Sequence, residues 1–394
     1  MPAFIPDILA AVAMVGIAYN LAGAALAGRW RADTNAPVFL RKQEPRATNA
    51  AFEAPGLLLS QEHWPSVTML KPLHGPEPDL TAKLAGFLDQ DYPGPIAMVC
   101  GVSRSDDPAL ASGPPEARTV IDPTRHGSNA KVSNLINMMR EADGDILILS
   151  DSDMAVPRDY AACIVAALVE PGVGAVTLLY AGRGETEGWS RMAAAGISWG
   201  FLPSVMVGLA TGLAKPCMGS TIAMRRETLD AIGGFERFKD LLADDNAIGM
   251  AVRDLGLKVA VPPPIVTHGC TETSLAALAA HELRWNATVR MLDPAGYAGS
   301  VVTYPLVWGL LAFATGAGWW VPFAALLARL ILAERIDVIV GRRTAPLWWL
   351  PARDLLSFGL YVGAFFTRRV DWRGAELHMA RDGRMTAEPE TRRP

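Results

Sequence analysis

The chain has 394 residues, 51% of them hydrophobic, with a formal net charge of −4 and a mean hydropathy of +0.20. Its length exceeds one average domain and its composition is too apolar for an ordinary soluble enzyme, so a soluble domain joined to bilayer-exposed segments is expected. The basic residues form no long run, which argues against a nucleic-acid binder held by phosphate neutralisation. Cys100, Cys163, Cys217 and Cys270 show neither CxxC spacing nor histidines at zinc-like intervals. They read as packed free thiols in a reducing compartment.

Ile8 to Gly28 carries no charge and is long enough for the roughly 20 residues a helix needs to cross hydrocarbon. Arg29, Trp30 and Arg31 follow it, so residues 1–30 read as an anchor whose C-terminal side is cytoplasmic. Residues 31–65, with Pro45, Pro55 and Pro65, read as a juxtamembrane linker. From residue 66 short apolar runs alternate with helical stretches. Strands are predicted at Ser66–Leu73, Ile96–Val102, Asp145–Leu149, Gly174–Tyr180 and Ser220–Met224. Helices are predicted at Asp79–Leu88, Asn129–Arg140, Pro157–Val169 and Asp244–Leu255. Such alternation implies an α/β domain with a mainly parallel, doubly wound sheet over residues 66–272. Ligands of such sheets sit beyond the carboxyl ends of the strands. Residues 273–293 suit an interfacial amphipathic helix, and residues 294–367 form a membrane cluster. Pro294 to Ala328 is uncharged, whereas Glu334, Arg335 and Asp337 interrupt the stretch that follows. Residues 368–394 read as a cytoplasmic tail, which requires an even number of crossings between it and the catalytic domain.

The chemistry-bearing residues cluster at the ends of these elements. Asp151-Ser152-Asp153 directly follows the buried run DILIL. Two carboxylates at that spacing can present oxygens to one hard divalent cation, which in turn bridges a diphosphate; a helix-capping turn is the plainer alternative. Asp106-Asp107 follows IAMVCGV, where a carboxylate can accept hydrogen bonds from a uracil N–H or ribose hydroxyls. Lys131 opens a helix and can neutralise part of a nucleotide. Asp244-Asp245 starts the helix DDNAIGMAVRDLG. They suit its N-terminal dipole, or one of them is a general base. In His281-Glu282-Leu283-Arg284-Trp285, Arg284 can grip a leaving diphosphate through charge-assisted hydrogen bonds, while a lone His281 reads as structural.

Taken in order, KPLHG, DYPGP, Asp106-Asp107-Pro108, NAKVSNL, SDSDM, RRETL with GGF, ADDNAIG and HELRW resemble ceramide glucosyltransferase-like enzymes. These are membrane glycosyltransferases with a GT-A domain, related to the family-2 synthases. The resemblance runs from about Val67 to Arg290. DPTRHGSNAKVSNLINMM, HELRW and GYAGSVVTYP are closer in texture to the hopanoid-biosynthesis-associated branch, which is thought to add N-acetylglucosamine to a polyhydroxylated hopanoid. The resemblance implies that the first family aspartate is Asp106 or Asp107 and the second Asp151, with Asp153 completing the DxD pair. It makes Asp245 the base and Arg284-Trp285 the arginine–tryptophan pair. Two departures stand out. The eukaryotic ceramide enzymes resemble DSG where this chain has Asp151-Ser152-Asp153, and His281 replaces a residue that is commonly Gln or Arg.

The expectation is an α/β GT-A glycosyltransferase with N- and C-terminal transmembrane helices in a bacterial inner membrane, its catalytic domain cytoplasmic. It inverts configuration while moving a hexose or N-acetylhexosamine from UDP-GlcNAc or UDP-glucose to a lipid hydroxyl. A hopanoid such as bacteriohopanetetrol is the first acceptor and ceramide the next. Asp245, Arg284 and Trp285 are assigned to catalysis; Asp106, Asp107, Lys131 and Asp151 to the nucleotide sugar; Asp153 and Asp151 to Mg2+ or Mn2+. A processive polysaccharide synthase and a non-catalytic nucleotide- or lipid-binding scaffold are the competing readings. UDP release with lipid extract, with and without divalent metal, separates them.

Overall fold

The computed structural model describes residues 4–35, 64–186, 188–367, 369–372, 375–379 and 385–387. Most of the expected linker, and part of the expected tail, lie outside the described residues.

Seven strands form the main sheet: β1 (Val67–Pro72), β2 (Ile96–Val102), β3 (Arg118–Ile121), β4 (Ile146–Leu149), β6 (Val173–Thr177), β8 (Ile222–Arg225) and β9 (Lys258–Ala260). Their order is β3-β2-β1-β4-β8-β6-β9. β1 pairs in parallel with β2 and β4, whereas β8 runs antiparallel to both β4 and β6. The sheet is therefore mainly parallel with one reversed strand. Three short strands, β5 (Met154–Ala155), β7 (Leu179–Gly184) and β10 (Ile265–Cys270), make a second sheet in the order β5-β10-β7. The run predicted as a single strand over Gly174–Tyr180 is thus divided at Leu178, one half in each sheet. Leu178 is fully buried, so the apolar run stays unbroken where the backbone changes sheet.

Helices cover both faces of the main sheet. On one, α2 (Leu80–Leu88) and α4 (Tyr160–Leu168) pack on Met69, Met98 and Ile148. On the other, α3 (Ala130–Met138), α7 (Arg226–Ala231) and α8 (Asp244–Asp254) pack on Leu70, Val99, Leu147 and Leu149. Alternate residues of each strand face opposite cores, so a strand buried on both sides is mostly apolar. That is why ILIL reads as a continuous run. The four cysteines are buried and free.

A helical segment between β7 and β8, α5 (Trp189–Gly196) and α6 (Leu202–Thr211) joined by a π-helical turn at Ile197–Phe201, has no counterpart among the predicted elements. By length and composition Trp189–Thr211 is a candidate membrane span, as is Ile5–Trp30. Thr177 Oγ1 and the Met218 backbone exchange hydrogen bonds, which holds the chain on either side of this segment in one domain. A single crossing of a bilayer is therefore excluded, and the segment serves as a seat between the domain and the apolar helices.

Those helices are α1 (Ile5–Asn35), α11 (Pro305–Ala314), α12 (Trp320–Val340) and α13 (Leu350–Ala364), preceded by α9 (Leu275–Leu292) and α10 (Pro294–Gly299). Pro294–Thr303 and Pro305–Ala314 form a pair bent by 63° that would make a third span if counted as one. Ala13, Ile17, Asn20, Ala24 and Ala27 of α1 are buried at alternating spacings of four and three, a face of mostly small residues that allows close helix approach. At Gly16 a Cβ would lie 2.4 Å from the Val302 carbonyl oxygen. Inside the bundle Arg329 makes two 2.8 Å bonds to Asp354 and bonds to Asn20 Oδ1 and the Trp199 carbonyl at 3.0 Å. Trp199 Nε1 donates to Asp337 at 2.9 Å. The buried charges Arg329, Asp354 and Asp337 are thus partnered within the protein, as charges enclosed by apolar helices must be. Trp30 Nε1 donates to the Pro263 carbonyl at 2.7 Å, and Arg342 Nη1 donates to Thr267 Oγ1 at 3.1 Å. The bundle is therefore fastened to the strand that lies under the DxD loop.

Candidate active site

The DxD loop leaves β4 at its carboxyl end, as the sequence pattern requires of a ligand site in such a sheet. Beneath it lies Lys71, the first residue of KPLHG, fully buried. Its Nζ donates to Ser150 Oγ at 3.3 Å and to the Asp151 carbonyl at 2.5 Å, and stands 3.8 Å from the centroid of the Phe87 ring. Burial lowers its pKa to about 8 even though Asp151, Asp153 and Glu77 act in the opposite direction. Ser152 donates to Glu77 Oε1 at 2.6 Å. The loop is thereby held from below and from the side.

The two carboxylates of the DxD then diverge. Asp151 Oδ1 lies 2.6 Å from Lys131 Nζ, which also stands 3.8 Å from Asp244 Oδ2. Burial would lower the Lys131 pKa, but Asp151 and Asp244 outweigh it and hold the ammonium above the usual lysine range. Asn129 caps α3 by accepting from Val132 N, and its amide donates to the Leu241 carbonyl and to Asp244 Oδ1. The motif NAKVSNL therefore both starts the helix and delivers its lysine to the acidic cluster.

Gly219 is the meeting point. Its carbonyl accepts from Asp151 N at 3.3 Å, and its N–H donates to Asp245 Oδ2 at 3.1 Å. A Cβ at this position would stand 3.0 Å from Lys131 Nζ, 3.1 Å from Asp151 Oδ2 and 3.7 Å from Asp245 Oδ2. Asp245 Oδ1 also accepts from Asn246 N at 2.7 Å. Neither acidic residue caps α8 through its side chain in the usual way, since the N-cap is Ala243. Burial, followed by the charge of Asp244, raises the Asp245 pKa to about 6. Burial raises that of Asp244 as well. A carboxylate with a pKa near 6 is ionised at neutral pH and still basic enough to take a proton.

Asp153 turns the other way, toward His268 on β10. The two face each other because Met154 of β5 pairs with His268 and Gly269 N donates to the Asp153 carbonyl at 2.9 Å. His268 Nδ1 lies 3.4 Å from Asp153 Oδ1, within ion-pair reach but without a hydrogen bond, and that oxygen is buried with no hydrogen-bond partner. Burial would raise the Asp153 pKa, yet the facing His268 brings it down to about 2. Burial would likewise lower His268, and Asp153 lifts it. The imidazole is flanked by Tyr180, with centroids 5.8 Å apart, and by Trp285 at 6.0 Å.

Trp285 therefore reaches the DxD side of the domain through His268. Arg284 is half-buried on the same helix, and Glu282 pairs with Arg353 of α13 at 2.6 Å. Asp107 is buried and holds the loop after β1, accepting from Gly75 N at 2.9 Å and from Ala109 N at 3.0 Å. Gly75 has φ +73°, a left-handed conformation that favours glycine. Asp106 is exposed and bonds Arg104 at 2.7 Å. The structure thus brings Lys131, Asp151 and Asp245 together, sets Asp153 and Trp285 both next to His268, and gives Asp106 and Asp107 different surroundings.

Sequence reasoning passed over His268, Gly219 and Lys71. Lys71 stood inside a quoted motif without a role. The other two had only weak signals, a histidine late in the apolar run IVTHGC and a glycine closing KPCMG.

The profile of Glycosyl transferase family 21 matches residues 9–385. Ceramide glucosyltransferase 1 of Caenorhabditis elegans is 24% identical over 205 residues, 50% of this chain and 44% of that protein. The chain thus spans less than half the length of that relative. Among solved structures, the mannosyltransferase PcManGT of Pyrobaculum calidifontis, in complex with GDP-Man and Mn2+, is similar at 22% identity and TM-score 0.45, with 91% of this chain and 98% of that chain covered. Glucosyl-3-phosphoglycerate synthase of Mycobacterium tuberculosis, in complex with Mn2+, UDP and glucosyl-3-phosphoglycerate, is similar at 18% identity and TM-score 0.35, with 57% and 79% covered. The chain belongs to glycosyl transferase family 21. Its α/β domain has the mainly parallel sheet that the motifs implied, and two of its described helices are long and apolar enough to cross a membrane.

Proposed function

We propose that the enzyme transfers a hexose or N-acetylhexosamine from a UDP-sugar to the hydroxyl of a membrane lipid, with inversion at the anomeric carbon. The observation that carries this reading is the convergence of Lys131, Asp151 and Asp245 on Gly219, at strand ends beside a bundle of apolar helices. A soluble donor and a lipid acceptor would meet there. The name of the nematode relative, ceramide glucosyltransferase 1, supports a lipid acceptor. The hopanoid-like texture of the sequence favours a polyhydroxylated hopanoid, with ceramide next, in a bacterial inner membrane with the catalytic domain cytoplasmic.

Asp245 is the base in this reading. The N–H groups of Gly219 and Asn246 fix its carboxylate, and its raised pKa suits removal of the acceptor proton as the hydroxyl attacks. The attack comes from the face opposite UDP, so an α-linked donor gives a β-linked product. Lys131 and Arg284 offset negative charge on the nucleotide and the departing diphosphate, Asp106 or Asp107 reads the nucleoside, and Trp285 completes the site.

The DxD pattern implies a divalent cation; the described residues hold no group of three or more His, Cys, Asp or Glu that could bind one, so the fit rests on two donors. Asp153 offers a buried oxygen without a hydrogen-bond partner, and the imidazole facing it is a second donor. Asp153 and His268 would hold the cation, with Asp151 adjacent. When bound with the donor, Mg2+ or Mn2+ supplies charge stabilisation to the diphosphate.

The test is incubation of purified protein with a panel of UDP-sugars and either hopanoid or ceramide acceptors, with and without divalent cation, followed by mass spectrometry. A singly glycosylated lipid that forms only with cation is expected. UDP release with polymer and no glycolipid would point to a processive synthase, and no turnover with any pair would overturn the assignment.

A further inference from the structure

The motif HELRW begins with a histidine that the reaction described above does not use, and the loop before its helix carries a buried glutamate with no assigned role. The two meet. His281 Nδ1 lies 2.6 Å from Glu272 Oε1, with the carboxylate side chain 9% exposed and the imidazole 27%. Glu272 stands in the four-residue link between β10 and α9, whose N-terminus is capped by Ser274 accepting from Ala277 N at 3.1 Å. His281 lies two turns into that helix. The bond therefore closes the link onto the helix that follows it and fixes the imidazole orientation.

The fixed imidazole then meets Trp285, one turn further along the same face, edge-on with centroids 4.4 Å apart. Trp285 in turn stands beside His268, the ring centroids 6.0 Å apart, and Tyr180 is a second aromatic neighbour of that imidazole. A continuous series of contacts thus runs from Glu272 through His281 and Trp285 to the imidazole that faces Asp153. A histidine ligand is useful only when its ring is correctly turned. Partners outside the ligand shell that hold such a ring typically change metal affinity or activity 10- to 100-fold when removed.

We infer that the Glu272–His281 pair is a brace for the cation site. It clamps Trp285 against His268 and so keeps the imidazole turned toward Asp153. His281 is in this role a positioning residue. The inference rests on the reading of Asp153 and His268 as cation ligands.

Mn2+ binding to the full-length protein in detergent, measured without sugar donor from the electron paramagnetic resonance signal of free Mn2+, provides the test. Asp153→Ala and His268→Ala are expected to abolish binding; if both bind as the parent does, the cation-site reading itself fails. With that reading intact, His281→Ala and Glu272→Ala should each weaken Mn2+ binding about 10-fold or more. Glu272→Gln, which keeps an acceptor for Nδ1–H, should restore most of it. His281→Phe keeps a ring edge against Trp285 without the tie to Glu272 and should fall between. A thermal melt identifies any variant that fails to fold, and Glu272→Gln remains the arm least disturbed in shape. Parent-like Mn2+ affinity in folded His281→Ala and Glu272→Ala would overturn the brace while leaving the cation site standing. Equal loss in Glu272→Gln and Glu272→Ala would also overturn it, since a tie through Nδ1–H predicts rescue.

Discussion

Replacing Asp245 by Asn tests the base assignment on two independent axes. On the catalytic axis, removal of a general base should lower kcat by about 10²–10⁴-fold while donor affinity stays within a few-fold of the parent. On the stability axis, the argument runs from the ordinary aspartate value of 3.8 to the folded value of about 6. A carboxylate whose folded pKa is raised binds its proton more tightly when folded, so its charge costs stability as pH rises from about 4 through 6. The shift of about two units corresponds to about 2–3 kcal/mol that Asn does not lose. Against this, Asn has one acceptor oxygen where Asp245 uses two, for Gly219 N and Asn246 N, and the orphaned N–H costs about 1–3 kcal/mol at every pH. The variant should therefore melt below the parent at pH 4 and recover most or all of that deficit by pH 7.5. Turnover, donor KM and melting temperature at the two pH values are the assays, with Asp244→Asn as the internal control for the shared helix terminus. Equal loss of activity in the two variants, a chief effect on donor KM, or a pH-independent melting difference would refute the reasoning.

Asp153→Ala should remove divalent-cation dependence together with most activity and leave the circular dichroism spectrum unchanged. Cation-stimulated turnover in the variant would contradict the assignment. Gly219→Ala places a methyl group 3.0–3.1 Å from Lys131 Nζ and Asp151 Oδ2, so activity should fall at least about 10-fold in a folded protein; parent-like turnover would show that the convergence is loose. Arg329→Met leaves the buried Asp354 carboxylate without its two charged bonds and should cost about 3–5 kcal/mol. Arg329→Met combined with Asp354→Leu should recover much of that loss, and a double variant no more stable in detergent than the single one would assign the loss to packing instead.

Much of the domain was legible because burial on both faces leaves a strong pattern. The runs VTML, IAMVCGV and ILIL are almost wholly apolar, and each became a parallel strand with the DxD loop at the end of the third. What hydrophobicity cannot report is a change of partner. GVGAVTLLY is one apolar run, yet Thr177 ends a strand of the main sheet and Leu179 begins one of the small sheet. Pro262, Pro263 and Pro264 masked the strand that starts at Ile265, since proline clusters ordinarily signal a connection. The helical segment at Trp189–Thr211 was missed for a related reason. It is apolar enough to resemble a membrane span, yet it lies within the chain of the domain and not near either end, where such spans were expected.

The site shows the same division at the level of single residues. Asp151, Asp245 and Lys131 were accessible to reasoning because each stands at the start or end of an element, where a charge has a local reason to be. His268 had none. Its meaning comes from Met154, its partner in a strand of only two residues, and no spacing in the sequence announces that pairing. His281 likewise reads as an isolated histidine until Glu272 is found beside it across the turn into α9. A contact made by a two-residue strand or by one turn of link is invisible to periodicity, because periodicity needs several repeats to register. The residues most exposed to that blindness in this chain are the ones that orient others. Asp151, Asp245 and Lys131 lie at element ends and so leave a trace, whereas groups that merely hold such charges in place can come from anywhere the fold brings near. Experiments guided by motif roles alone would therefore test Asp151, Asp153 and Asp245 and pass over Glu272, together with Lys71 and His281, which the motifs contain without a role and whose contacts bear on how those carboxylates and their facing imidazole are turned.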